Sequence, residues 1–66
     1  MRISHKFGTP TVIIDRIHYF PDELVDTGAN VDATIAVKRD SRWIKEMVKV
    51  TKKQSQEIKQ YVEKYK

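Results

Sequence analysis

The sequence predicts a small α+β domain, an antiparallel sheet of two or three strands packed by one C-terminal helix. Three observations carry this. Residues 11–20 and 33–38 are rich in β-branched and aromatic side chains and are separated by turn residues. Residues 52–66 repeat apolar side chains at helical spacing. Between these patterns, Thr51-Lys52-Lys53-Gln54 has the form of a capping box, which starts a helix afresh. The 66 residues allow a single domain, 1–66, and the absence of cysteine removes disulfides and thiolate zinc sites as staples. Its 39% hydrophobic content is too high for a disordered tail, and its 33% charged content is too high for a membrane span.

Each element has a local reason. Gly8-Thr9-Pro10 is a turn, and Thr11 to Phe20 reads as one strand that Pro21 closes, since proline donates nothing to a ladder. Pro21 to Val25 suits one helical turn, with proline in the first turn and carboxylates near the N-terminus. Asp26-Thr27-Gly28-Ala29-Asn30 reads as a loop, Ala33 to Lys38 as a second strand, and Asp40-Ser41-Arg42 as a hairpin connection.

Trp43 to Val50 fits two periods. As a strand, Ile44, Glu46, Val48 and Val50 share one face, while Trp43, Lys45, Met47 and Lys49 share the other. As a helix, Trp43, Ile44, Met47, Val48 and Thr51 form a stripe. The β-branched residues Val48, Val50 and Thr51 and the fresh cap at Thr51 favour a strand paired with 34–39. The helix Lys52–Lys66 then presents Ile58, Tyr61, Val62 and Tyr65, with Ser55 on the same side.

The helical alternative carries a resemblance. Thr34 to Lys38, followed by Ser55-Gln56-Glu57-Ile58 with Tyr61, Val62 and Tyr65, is similar to the ribbon and second helix of ribbon-helix-helix DNA-binding proteins. That likeness covers residues 34–66, implies a DNA-binding dimer, and requires 43–51 to be helical. A second string, Leu24-Val25-Asp26-Thr27-Gly28-Ala29, resembles the active-site motif of retroviral-type aspartic proteases, in which two subunits each supply the aspartate. No glycine follows Gly28 to build that family's flap. The competing reading is an acidic loop in which Gly28 takes positive φ and Asp26 or Asn30 bonds its own backbone.

Metal and nucleophile chemistry find little support. Asp22, Glu23, Asp26, Asn30 and Asp32 do not follow a calcium-loop spacing, and His5 and His18 form no ligand pair. His18 reads as an ordinary sheet histidine. No phosphate-binding glycine loop and no Ser/His/Asp set occurs, so the expectation is a non-enzymatic protein without cofactor or metal.

Charge is the sharper signal. Residues 1–37 hold three cations against five carboxylates, net −2, and residues 38–66 hold ten against four, net +6. Such asymmetry points to a polyanion partner or a self-complementary oligomer. Lys38, Arg39, Arg42, Trp43, Lys45, Lys49, Lys52 and Lys53 are the candidate nucleic-acid-binding set: an indole on which bases stack, with cations to track phosphates. The opposing reading makes Trp43 and Met47 core or dimer contacts. In that case the chain is a protein-interaction module, a small regulator or inhibitor docking a partner through its acidic loop or a strand edge. No signal-peptide core or spanning segment is visible, so a cytoplasmic protein, monomeric or homodimeric, is expected.

Overall fold

The computed structural model describes residues 1–65. Five strands, β1 (Arg2–Ser4), β2 (Thr11–Ile14), β3 (Ile17–Asp26), β4 (Val31–Arg39) and β5 (Arg42–Val50), precede one helix, α1 (Lys52–Lys64). The strands form an antiparallel meander in the order β1-β2-β3-β4-β5. The class is therefore α+β, but a five-stranded sheet replaces the expected two or three strands.

Two local features account for the extra strands. Asp15 and Arg16 both take positive φ, 51° and 68°, and reverse the chain between the paired residues Ile14 and Ile17. The run 11–20 is thus a hairpin rather than one strand. Its two-residue turn lacks the glycine that usually signals this geometry. β1 is only three residues long, too short to show a period.

Pro21 does not end β3. The register passes from Tyr19 opposite Ile35 to Leu24 opposite Ala33, so Phe20, Pro21, Asp22 and Glu23 lie against Thr34 alone. At such a bulge the ladder is interrupted, and a missing N–H is tolerated. The expected helical turn over Pro21–Val25 is instead strand. The four-residue loop Thr27–Asn30 then closes the β3–β4 hairpin, with Gly28 at φ 97°.

β4 and β5 pair through nine consecutive residues, from Val31 opposite Val50 to Arg39 opposite Arg42. Residues 43–50 are a strand, and the ribbon-helix-helix alternative falls with its first helix. Asp40 and Ser41, at φ 48° and 63°, make the turn.

α1 packs chiefly on β3, with further contacts to β2 and β4. Val12, Ile58 and Val62 centre that core, with Ile3, Ile14, Tyr19, Leu24 and Tyr61 packed around them. Ser55 is buried on the same side, whereas Tyr65, expected in the apolar stripe, is 59% exposed because the helix ends at Lys64 and Tyr65 is its C-cap. Lys66 lies outside the described residues. The Tyr61 hydroxyl donates to the Met1 carbonyl at 2.8 Å and ties the helix to the start of β1.

The N-cap half of the capping box forms as the sequence implies: the Gln54 N–H donates to Thr51 Oγ1 at 3.0 Å. Thr51→Ala removes this acceptor and lowers stability by about 1 kcal/mol, read as a fall in the thermal midpoint. An unchanged midpoint would remove the cap from the account of α1. At the β4–β5 turn the opposite sign is expected. Ser41→Gly relieves a left-handed backbone on a residue with a Cβ and, net of glycine's entropy, raises stability by roughly 0.5 kcal/mol.

Candidate nucleic-acid interface

The face of the sheet opposite α1 holds the candidate site. Paired residues of an antiparallel sheet share a face, so the register places Arg2 and Ile13 with His18, Ala36 and Lys45, and places Lys38 with Trp43. Farther along the same face lie the cross-strand pairs Thr34–Met47 and Asp32–Lys49.

The β1–β2 connection folds over one end of this face. Gly8, at φ 81°, donates to the His5 carbonyl at 3.2 Å, and this turn seats Phe7 on the sheet. The Phe7 ring centroid lies 5.2 Å from His18, 5.6 Å from Phe20 and 5.3 Å from Trp43, and His18 meets Trp43 edge-on at 5.0 Å. The result is a second, aromatic core. His18 and Phe20 are buried, Ala36 is fully enclosed beneath them, and Trp43 stays half-buried. Edge-to-face contacts of this kind add to plain area burial.

Cations surround the cluster. The Lys6 ammonium stands 5.1 Å from the Trp43 ring centroid, and that of Lys45 stands 4.7 Å from the Phe20 centroid. Lys45 also reaches Glu23 at 3.6 Å. A cleft of about 460 Å³ opens beside Trp43, lined by Ile17, Val37, Lys38 and the Asp15–Arg16 turn.

The sequence-predicted set divides between the two sides of the sheet. Lys38, Trp43, Lys45 and Lys49 share the open face. Arg39 and Arg42 pair with each other on the α1 side, where the Arg39 guanidinium grips Glu46 with two contacts of 2.8 and 3.4 Å. Lys52 and Lys53 begin α1, in the layer across the sheet, and Lys52 lines a small cleft with Asp26, Val31 and Ser55.

Lys6, Phe7, His18 and Phe20 were missed as members of the site. The alternation of His18 with Phe20 put both on one face, and Lys6-Phe7-Gly8 placed an aromatic and a cation in a turn. Their convergence with Trp43 depends on strands far apart in sequence.

The Asp26 motif is a loop here. The Asp26 carboxylate accepts from the Gly28 N–H at 2.7 Å, and the Thr27 hydroxyl and N–H both donate to the Asn30 carbonyl at 2.9 Å. The Asp26–Gly28 contact is the local side-chain-to-backbone turn that the competing reading anticipated.

Comparison of the chain with protein-family models, curated proteins and solved structures finds no match.

His18 gives the cluster a pH dependence. Its Nδ1 lies 3.0 Å from the Thr11 hydroxyl, whose oxygen also lies 3.3 Å from the Ser4 carbonyl. With that hydroxyl donating to Ser4, Nδ1–H donates to Thr11. Burial first, and then the charges of Lys6 and Arg2, push the His18 pKa below its ordinary value. The folded state therefore favours neutral His18. The stability this supplies is fully present above the unfolded value of about 6.5 and is lost as pH falls through the lowered folded value. Thermal midpoints of the wild type should fall over that interval more steeply than those of His18→Gln, whose carboxylate contributions are the same. Parallel profiles would exclude His18 as the source.

Proposed function

We propose that this is a cytoplasmic, non-enzymatic protein that binds single-stranded nucleic acid on the open face of its sheet. The observation that carries the reading is a half-buried indole, Trp43, held in a rigid aromatic cluster beside a cleft, with Lys6 over its ring and Lys38 opposite it. Lys45 and Lys49 extend the row of cations along β5, two and six residues farther on.

Sequence-tolerant binding of single strands combines these two parts. A base stacks on an aromatic face for about 1–3 kcal/mol, and ammonium groups follow the phosphates. The open face also suits a single strand better than a duplex, since it offers no projecting helix to enter a groove. Met47, 64% exposed, and Val25, 55% exposed, lie on the same face and offer apolar contact to further bases. Asp32 and Glu23 temper the field next to Lys49 and Lys45, which makes the end near Trp43, Lys6 and Lys38 the more attractive to phosphate.

Trp43 is the only tryptophan, so its emission reports the site without a label. Single-stranded oligonucleotide at low salt should quench or shift that emission, and added salt should reverse the change. Lys6→Ala, Lys38→Ala and Lys45→Ala should each weaken binding and reduce the slope of log K against log salt by about 1. Lys53→Ala and Lys64→Ala, on the helix, should leave the slope unchanged. A gel shift showing no salt-dependent binding of any oligonucleotide would overturn the proposal.

A further inference from the structure

The two edges of the sheet differ. β1 is three residues long, whereas β5 presents nine residues without proline or bulge, in unbroken register with β4. A long edge without proline or bulge offers a row of N–H and C=O groups to another strand. We infer that β5 pairs antiparallel with β5 of a second copy about a two-fold axis at Glu46, joining two sheets into one of ten strands. This is independent of nucleic-acid binding.

Backbone alternation limits the possible registers. The two-residue turn Asp40-Ser41 makes Arg39 and Arg42 the hydrogen-bonded pair that closes the hairpin. Alternation then turns the N–H and C=O groups of Arg42, Ile44, Glu46, Val48 and Val50 toward β4, and those of Trp43, Lys45, Met47 and Lys49 outward. Outward groups bond only to outward groups, so odd residues must face odd residues. Every such register sets both helices on the same side of the joined sheet.

Charge and apolar matching then select among the registers with greatest overlap. An axis at Lys45 sets Lys45 against itself and Ile44 against Glu46. An axis at Met47 sets Lys45 against Lys49 twice and Glu46 against Val48. With the axis at Glu46, the middle of the strand, all nine residues are paired. On the α1 side Ile44, 37% exposed in the monomer, then meets Val48 of the second copy, and apolar side chains cover each other. On the open face Trp43 meets Lys49 and Lys45 meets Met47, so no lysine opposes a lysine. Only Glu46 faces its own kind, and each of these carboxylates is already held by Arg39 at 2.8 Å.

The chain has no cysteine, which makes cross-linking a clean test. Directly opposed residues of a non-hydrogen-bonded pair have Cα atoms about 4.5 Å apart, within disulfide reach. Under mild oxidation and without nucleic acid, Glu46→Cys should give a covalent dimer, and Lys45→Cys and Met47→Cys, each displaced by two residues from its own copy, should not. Met47→Pro removes an outward N–H and should yield a folded monomer by sedimentation equilibrium and circular dichroism. A wild type that stays monomeric at every concentration would overturn the inference. So would a Met47→Pro variant that remains dimeric, or cross-linking that favours position 45 or 47.

Discussion

Between Tyr19 and Leu24 the chain of β3 sets four residues against one of β4, and that odd surplus exchanges the two faces of the strand. Before it, odd-numbered residues such as Tyr19 face α1; after it, even-numbered Leu24 does. An unbroken alternation would have placed either Tyr19 or Leu24 on the wrong side of the sheet. With the bulge, both join the core under α1, while His18 and Phe20 stay together on the open face. Pro21 sits inside the irregularity, where its missing N–H breaks no ladder bond. Both layers of the protein depend on this one offset.

The offset explains why so short a chain carries two cores. The helix and sheet enclose Val12, Ile58 and Val62, and the other face encloses His18, Phe20 and Ala36 beneath Phe7. In β4, consecutive Ile35 and Ala36 are both buried, one on each side, as expected for a strand covered on both faces. The second core is small, but it keeps Trp43 in a fixed orientation. For the nucleic-acid binding proposed above, an indole already packed before binding loses less conformational freedom when a ligand arrives.

The same layering sorts the charge. A net surplus of cations after Val37 looks like one basic surface along the chain, but strand alternation and the β5–α1 connection distribute it over three places. Lys38, Lys45 and Lys49 gather by the aromatic cluster and are joined by Lys6 from the other end of the sequence. Arg39 is engaged with Glu46 on the far side, and Lys52 and Lys53 start the helix.

Local rules determined a great deal. The cap at Thr51, the strand nature of 43–50, the division of its residues between two faces, the positive φ of Gly28 and the local bonding of Asp26 all follow from interactions within a few residues. Those interactions are visible in a sequence because their partners are neighbours. The count of strands and the membership of the site were decided elsewhere. Asp15-Arg16 adopts a left-handed turn without glycine because the pairing of β2 with β3 holds it there. β3 continues through Pro21 because β4 lies alongside. Lys6 and Phe7 reach Trp43, more than thirty residues away, only through the sheet that lies between them. Contacts of that kind carry no spacing signal, since the free energy that fixes them is shared by the whole packed layer and belongs to no short stretch of chain.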